Sequence, residues 1–518
     1  MKTKQQYFYN ALLAAAVTLL MRTVGVAFNV YISGRVGAEA MGLLSLVGGV
    51  YAFTVTLATS GIHLATVRTL SERLQQTGGA ENKKCLKACL GYALFFGTLA
   101  TLLLFLLAKP IGLYALKDRR TVRALTLLSF TLLPIAVSTV FNGYFTAVRR
   151  AYKNAIAQVS EQAVKITFTC YLLAMAAAKS VEGGLVAILL GGAVAEALTL
   201  VLNLVLYLLD KRHYKGIRPQ SSGRAVRVSA IALPVAISAY MRSGLITIEH
   251  ILIPTGLSAY NASNSAALAA YGTLQGMALP VILYPAAILS SFAALLIPEI
   301  TEQQAANNTK EIRYIAGRAY QIALLFSIGT AAVMLLLSRE LGTVLYQSSE
   351  VGCFIRLLSP LIPIMYIDTA TDALLKGLGQ QVYSMNVNII DALLSVILVF
   401  FLVPRLGIHG YVITIYVTEI FNAACSIVRL LHISRLKPSL LRLLLLPLFS
   451  AIGAAALCNI FFHYIYIPQG GLSLSAHILG FITAYAVLLV LTDTLPYDDL
   501  KWLKNLFFCK QSGTLAKK

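Results

Sequence analysis

Long apolar runs broken by short polar stretches dominate the chain from end to end. About fourteen of them reach the roughly 20 residues that a helix needs to cross a bilayer core. They lie near 7–32, 42–66, 86–108, 122–147, 155–178, 184–209, 228–253, 268–297, 315–337, 354–375, 382–403, 408–431, 441–463 and 474–494. Helix is the default because a lone segment in hydrocarbon must close its own backbone hydrogen bonds. A membrane barrel would instead need segments of about ten residues alternating in polarity. The pattern predicts an all-α polytopic membrane protein.

Composition agrees. The 518 residues are 58% hydrophobic and 12% charged, with a mean hydropathy of +0.76, whereas soluble domains carry about 25% charge. A net charge of +21 would point to nucleic acid in a soluble protein. Here the Lys and Arg residues gather in alternate loops, on the side that holds both termini, which the positive-inside rule places in the cytoplasm. One cluster disagrees: Lys117, Arg119, Arg120 and Arg123 follow the third span on the opposite side. The basic N-terminus leads into a first apolar run too long for a signal-peptide core, so an uncleaved span is expected. The seven cysteines are scattered, without the paired spacing of a zinc or redox site. Trp502, just past the last span, fits a headgroup anchor.

The most basic linker runs from Asp210 to Arg227, with Pro219 and Gly223 as breakers. It divides the chain into an N-terminal six-helix lobe (1–215), a C-terminal six-helix lobe (216–437) and two extra helices with a cytoplasmic tail (438–518). A faint internal repeat supports the division. Met21-Arg22 matches Met241-Arg242 at an offset of 220. The offset then becomes 230: Ala40-Met41-Gly42 matches Ala270-Tyr271-Gly272, Ser71-Glu72 matches Thr301-Glu302, and Glu161 matches Asp391. Six-span halves of equal orientation are related by a pseudo-twofold along the membrane normal, and such transporters work by rocking the halves around a midplane site. No P-loop sequence is present, which leaves secondary transport.

An Arg at a span centre costs about 2.5 to 3.5 kcal/mol on insertion scales, so charges in the spans are functional candidates. Arg22 and Arg242 occupy corresponding helices, where their planar guanidinium groups would make a cavity that binds a diphosphate. Their structural alternative is a bolt to a buried carboxylate or carbonyl. Glu161 and Lys165 have the i,i+4 spacing of a local pair, as do Asp372 and Lys376. Glu249, Asp368 and Asp391 are candidates for ion coupling to Na⁺ or H⁺, with Glu196 and Glu419 behind them; each alone also fits a satisfied packing charge. His63 reads as a hydrogen-bonded core residue. No catalytic or metal constellation and no cofactor site is expected.

The run from Leu233 through Met241-Arg242 to Ile253-Pro254 resembles the seventh span of the stage V sporulation protein B branch of the polysaccharide flippases. So do Tyr271-Gly272, Gly276-Met277, Leu279-Pro280, Tyr284-Pro285 and Pro298-Glu299, together with Arg22, Ser60-Gly61 and Ser71-Glu72. Two positions depart: Thr255 stands where a basic residue is common and His63 where proline is usual. That branch is part of the multidrug/oligosaccharidyl-lipid/polysaccharide (MOP) exporter superfamily, with the MurJ-like and MATE proteins. The resemblance implies a V-shaped pair of lobes, a first-span cavity arginine, a tail groove beside the last two spans, and flipping of an undecaprenyl-pyrophosphate-linked saccharide, polysaccharide or peptidoglycan precursor, by a monomer in the bacterial cell membrane. A MATE-like cation-coupled drug exporter is the alternative that Glu249 and Asp391 keep open. A lipid-linked sugar polymerase is the third, opposed by outer loops with few charges.

Overall fold

A computed structural model describes residues 2–77, 82–148, 150–175, 180–211, 228–261, 263–435, 441–464, 470–492 and 494. They are helical, with no strand among the described residues. The helices are α1 (Lys2–Thr59), α2 (Ile62–Thr77), α3 (Asn82–Pro110), α4 (Arg120–Ser129), α5 (Leu132–Ala147), α6 (Ala151–Met175), α7 (Val181–Lys211), α8 (Val228–Asn261), α9 (Asn264–Tyr271) and α10 (Leu279–Leu283). There follow α11 (Ala286–Ala305), α12 (Thr309–Leu336), α13 (Ser338–Tyr346), α14 (Ser349–Leu358), α15 (Ile362–Gly377), α16 (Gln381–Leu406), α17 (Ile408–Ser434), α18 (Leu446–Tyr464) and α19 (Gly471–Leu491). Most of the basic Asp210–Arg227 linker, the 215/216 division and Trp502 lie outside the described residues.

Among the described residues, eleven helical segments are long and apolar enough to cross a membrane. Part of the difference from fourteen has a physical cause. The first two expected spans form one continuous segment, Ala16–Ser71, turned at Gly37, whose φ of 81° only glycine adopts easily. The fifth and seventh expected spans are α6 and α8, with 25 and 34 residues. Both are long enough to span, and Glu161 and Lys165 make α6 the less apolar of the two. Elsewhere apolar faces point outward, as at Leu102 and Leu106 of α3, 53% and 68% exposed. Faces of this kind suit lipid, not water.

The chain forms two compact units: Met1–Ala287 with Met385–Thr418, and Ile288–Ser384 with Glu419–Lys518. In the first, α1 packs on α8, α9 and the π-helical turn Gly272–Ala278. Glycines permit this approach. A Cβ at Gly42 would strike the Leu268 carbonyl and stand 3.3 Å from the Gly272 amide, while one at Gly272 would strike the Ala38 carbonyl and the Gly42 amide. Under the 230-residue offset Ala38 corresponds to Leu268 and Gly42 to Gly272. The contact is thus reciprocal, as a twofold contact must be.

The exceptional basic cluster is partly neutralised. Arg120 pairs with Asp118 at 2.6 Å and Glu39 at 2.8 Å, and Arg123 with Glu182 at 2.9 Å. The fully buried carboxylate of Asp210 ties α7 to the start of α6: it meets Lys153 at 2.6 Å, the Arg150 guanidinium, and the Tyr144 hydroxyl, which donates at 3.0 Å. In the second unit α18 and α19 pack on each other and on α12, where the Tyr485 hydroxyl donates to the Leu325 carbonyl at 3.0 Å.

Candidate functional site

One face of α1 organises the site. Thr18, Met21, Arg22, Gly25, Phe28, Asn29 and Ile32 follow helical i, i+3, i+4 spacing and all line cavities. Arg22 is exposed into a recess of about 290 Å³ that it shares with Gln158, Glu161 and Gln162 of α6. Among the described residues Arg22 forms no hydrogen bond or ion pair. An always-charged guanidinium within a span, without a protein partner, is poised for an anion. The neighbouring Thr23 hydroxyl meets the Tyr284 hydroxyl at 2.9 Å, which links α1 to the segment after α10.

Arg242 is likewise exposed and without a hydrogen bond or ion pair among the described residues. On α8, Tyr240, Ser243 and Thr247 face α1, donating to the Leu57 carbonyl at 3.2 Å, the Thr56 hydroxyl at 3.2 Å and the Gly49 carbonyl at 3.0 Å. At 100° per residue, Arg242 sits about 130° around the helix from that stripe and shares a flank with Glu249, seven residues on.

A model of the family described as "Polysaccharide biosynthesis protein" matches residues 8–304, which include both arginines. The chain belongs to that family. Stage V sporulation protein B of Bacillus subtilis (strain 168) is 24% identical over 513 residues, 96% of this chain and 98% of that protein. Lipid II flippase MurJ of the same organism is 24% identical over 412 residues, 74% of each chain. A solved structure of lipid II flippase MurJ in an inward closed conformation matches with a TM-score of 0.70 at 12% identity, covering 95% of this chain and 99% of that one. The fold is that of the MOP exporters. This family member is accordingly a multi-pass membrane protein.

Two of the three ion-coupling candidates converge in the first unit. The Glu249 carboxylate is hydrogen-bonded to Ser395 of α16. Asp391 lies one turn before Ser395, on the same face. Nearby, the Tyr411 hydroxyl donates to Gln275 Oε1 at 3.0 Å, and the His250 ring meets the Tyr271 hydroxyl. Asp368 belongs to the second unit, on α15, one turn before Thr371, whose hydroxyl bonds that of Tyr320 at 3.3 Å. Asp372 and Lys376 form their local pair at 2.6 Å, and Ser384 also reaches Asp372.

The other local pair fails to form. Glu161 and Lys165 make no ion pair with each other; both line a chamber beyond the Arg22 recess, together with Glu196. Sequence reasoning missed Asn29, Tyr51 and Gln162, which line it too. Asn29 could be found from its i,i+7 relation to Arg22, and Gln162 from its place beside Glu161.

Proposed function

We propose that this protein is a flippase that moves an undecaprenyl-pyrophosphate-linked saccharide across the bacterial cytoplasmic membrane by alternating access, with Arg22 and Arg242 binding the diphosphate. The observation that carries the reading is the unpaired Arg22 in a polar recess, on a helix within the family match. A diphosphate headgroup cannot cross about 30 Å of hydrocarbon unaided. A guanidinium donates in a planar fork to phosphate oxygens, and outside water that bond gains strength. The name of one relative, a lipid II flippase, supports a lipid-linked cargo.

The remaining assignments belong to the same proposal. Lobes 1–215 and 216–437 rock about the site, the segment 438–518 serves the lipid tail, and both termini lie in the cytoplasm. The protein acts as a monomer. Glu249, beside Ser395, and Asp391, one turn before Ser395 on α16, couple a Na⁺ or H⁺ gradient to the movement, with Asp368 as a further coupling group. That acidic site also favours the second reading, a cation-coupled drug exporter.

A reconstituted flipping assay with a fluorescent undecaprenyl-diphosphate saccharide tests the function. The protein should deliver the headgroup to the opposite leaflet, and Arg22→Ala should reduce the rate to that of empty vesicles. Normal turnover by folded Arg22→Ala and Arg242→Ala variants would refute the cavity. A raised drug tolerance in expressing cells, with no flipping, would favour the exporter.

A further inference from the structure

The chamber beyond Arg22 has a volume of about 470 Å³ and is enclosed by α1, α4, α6, α7 and the Thr131 turn, all within the first unit. We propose that it is a subsite for an uncharged sugar ring, the one linked to the diphosphate that Arg22 binds. This deepens the flippase reading and rests on it.

Hydrogen-bonding capacity without partners marks the chamber as built for a ligand. The Asn29 Oδ1 atom is buried with no hydrogen-bond partner. Glu161, Gln162, Lys165 and Glu196 form no hydrogen bond or ion pair among the described residues. Leaving such groups unmet in a low-dielectric region is costly. The Tyr51 and Thr131 hydroxyls satisfy each other at 2.6 Å.

The kinds of group then define the ligand. Carboxylates accept, the ammonium donates, and the two amides do both. That mixture complements vicinal hydroxyls, which also donate and accept, while Phe28 and Ile32 offer an apolar wall for C–H faces. Two carboxylates against one ammonium disfavour a phosphate inside. A bare cation is a poor match, because it needs oxygens converging at about 2.3–2.6 Å and the chamber holds a competing ammonium. No group of three or more His, Cys, Asp or Glu that would hold a metal occurs among the described residues. The volume falls within the roughly 300–1,000 Å³ usual for small-molecule sites.

Position joins the chamber to the anion. Met21, Glu161 and Gln162 line both the Arg22 recess and the chamber. Arg22 and Asn29, seven residues apart on one face, are separated by about 10 Å along the axis. A ligand with an anionic end at one and hydroxyls at the other is a sugar diphosphate.

Three glycines, Gly25, Gly48 and Gly192, line the space, and a Cβ at any of them would meet nothing within 4 Å. A larger side chain at Gly192 therefore fills the chamber without striking its walls first. This gives a test that spares the fold. The full-length protein in nanodiscs is titrated with geranyl diphosphate, with and without a single hexose on the terminal phosphate.

The hexose should tighten binding at least about tenfold in the natural protein, as one hydrogen bond to a charged group would. Gly192→Leu and Glu196→Gln should cut that gain below about twofold, with the affinity for geranyl diphosphate unchanged and the melting midpoint not lowered. Arg22→Ala should weaken both probes. A hexose that adds nothing, or a gain that survives Gly192→Leu, overturns the subsite while Arg22-dependent diphosphate binding leaves the flippase reading intact. Failure of either probe to bind overturns both. Stabilisation by Na⁺ that Glu196→Gln removes would make the chamber a cation site and also overturn the proposal.

Discussion

Adding one methyl group at Gly42 tests the reciprocal helix crossing. An alanine Cβ there would stand 2.8 Å from the Leu268 carbonyl carbon and closer still to its oxygen, and a Cβ at Gly272 would stand 2.9 Å from the Gly42 Cα. Carbon contacts are optimal at about 3.5–4.0 Å, so the helices must part by at least about 0.7 Å. The obstacle is backbone, not the end of a flexible side chain. Overpacking of this kind costs about 1–3 kcal/mol. Because a single separation relieves both clashes, Gly42→Ala with Gly272→Ala should cost clearly less than the sum of the two. Gly48→Ala, on the same helix with open space around its Cβ, is the control and should stabilise by about 0.5–1 kcal/mol. Denaturant unfolding of the purified protein in detergent reads all four values. If Gly42→Ala is as stable as the natural protein, or the double variant is additive, the two glycines do not meet as described.

Three further outcomes follow from named contacts. Asp210→Ala leaves the buried Lys153 ammonium and the part-buried Arg150 without their carboxylate, and should lower unfolding stability by about 3–5 kcal/mol. Arg120→Ala should cost less, because it strands only the buried Asp118 carboxylate beside a part-exposed Glu39, whereas Asp210 is fully buried and holds two cations; a comparison of the two in one unfolding assay checks the order. Glu299, between spans, has its carboxyl pushed above the usual range by burial, with Glu311 and Glu302 adding to the shift. A raised folded pKa means that its contribution is present at low pH and is lost as pH rises through that pKa. Glu299→Gln should therefore raise the melting midpoint at neutral pH and change it little at about pH 4; an equal effect at both would contradict that cause.

Much of the architecture is legible in the chain because the bilayer imposes a long, simple signal: the helices and the turn between the first two spans follow from runs of apolar residues, and the MOP fold from the resemblance carried by the Leu233–Pro254 and Tyr271–Glu299 motifs. One span is faint for the same reason that it matters. The charges of α6 lower the very property by which spans are recognised. The Asp372–Lys376 pair forms as its spacing predicts, whereas Glu161 and Lys165 do not close. Spacing at i,i+4 permits a pair, but the surrounding cavity decides whether the rotamers meet. Asn29 and Gln162 left no trace in charge counting because neutral amides in an apolar run carry none. The association of Met385–Thr418 with the first unit is a long-range contact, and no local pattern encodes it.

Headgroup translocation in proteoliposomes, with Arg22→Lys and Arg22→Ala beside the natural protein, bears most directly on an anion-carrying arginine. Lysine keeps the charge but loses the planar fork. The natural protein should flip the saccharide diphosphate, Arg22→Lys should do so slowly, and Arg22→Ala should not exceed protein-free vesicles while melting normally. Full translocation by a folded Arg22→Ala protein would show that no diphosphate passes through this guanidinium.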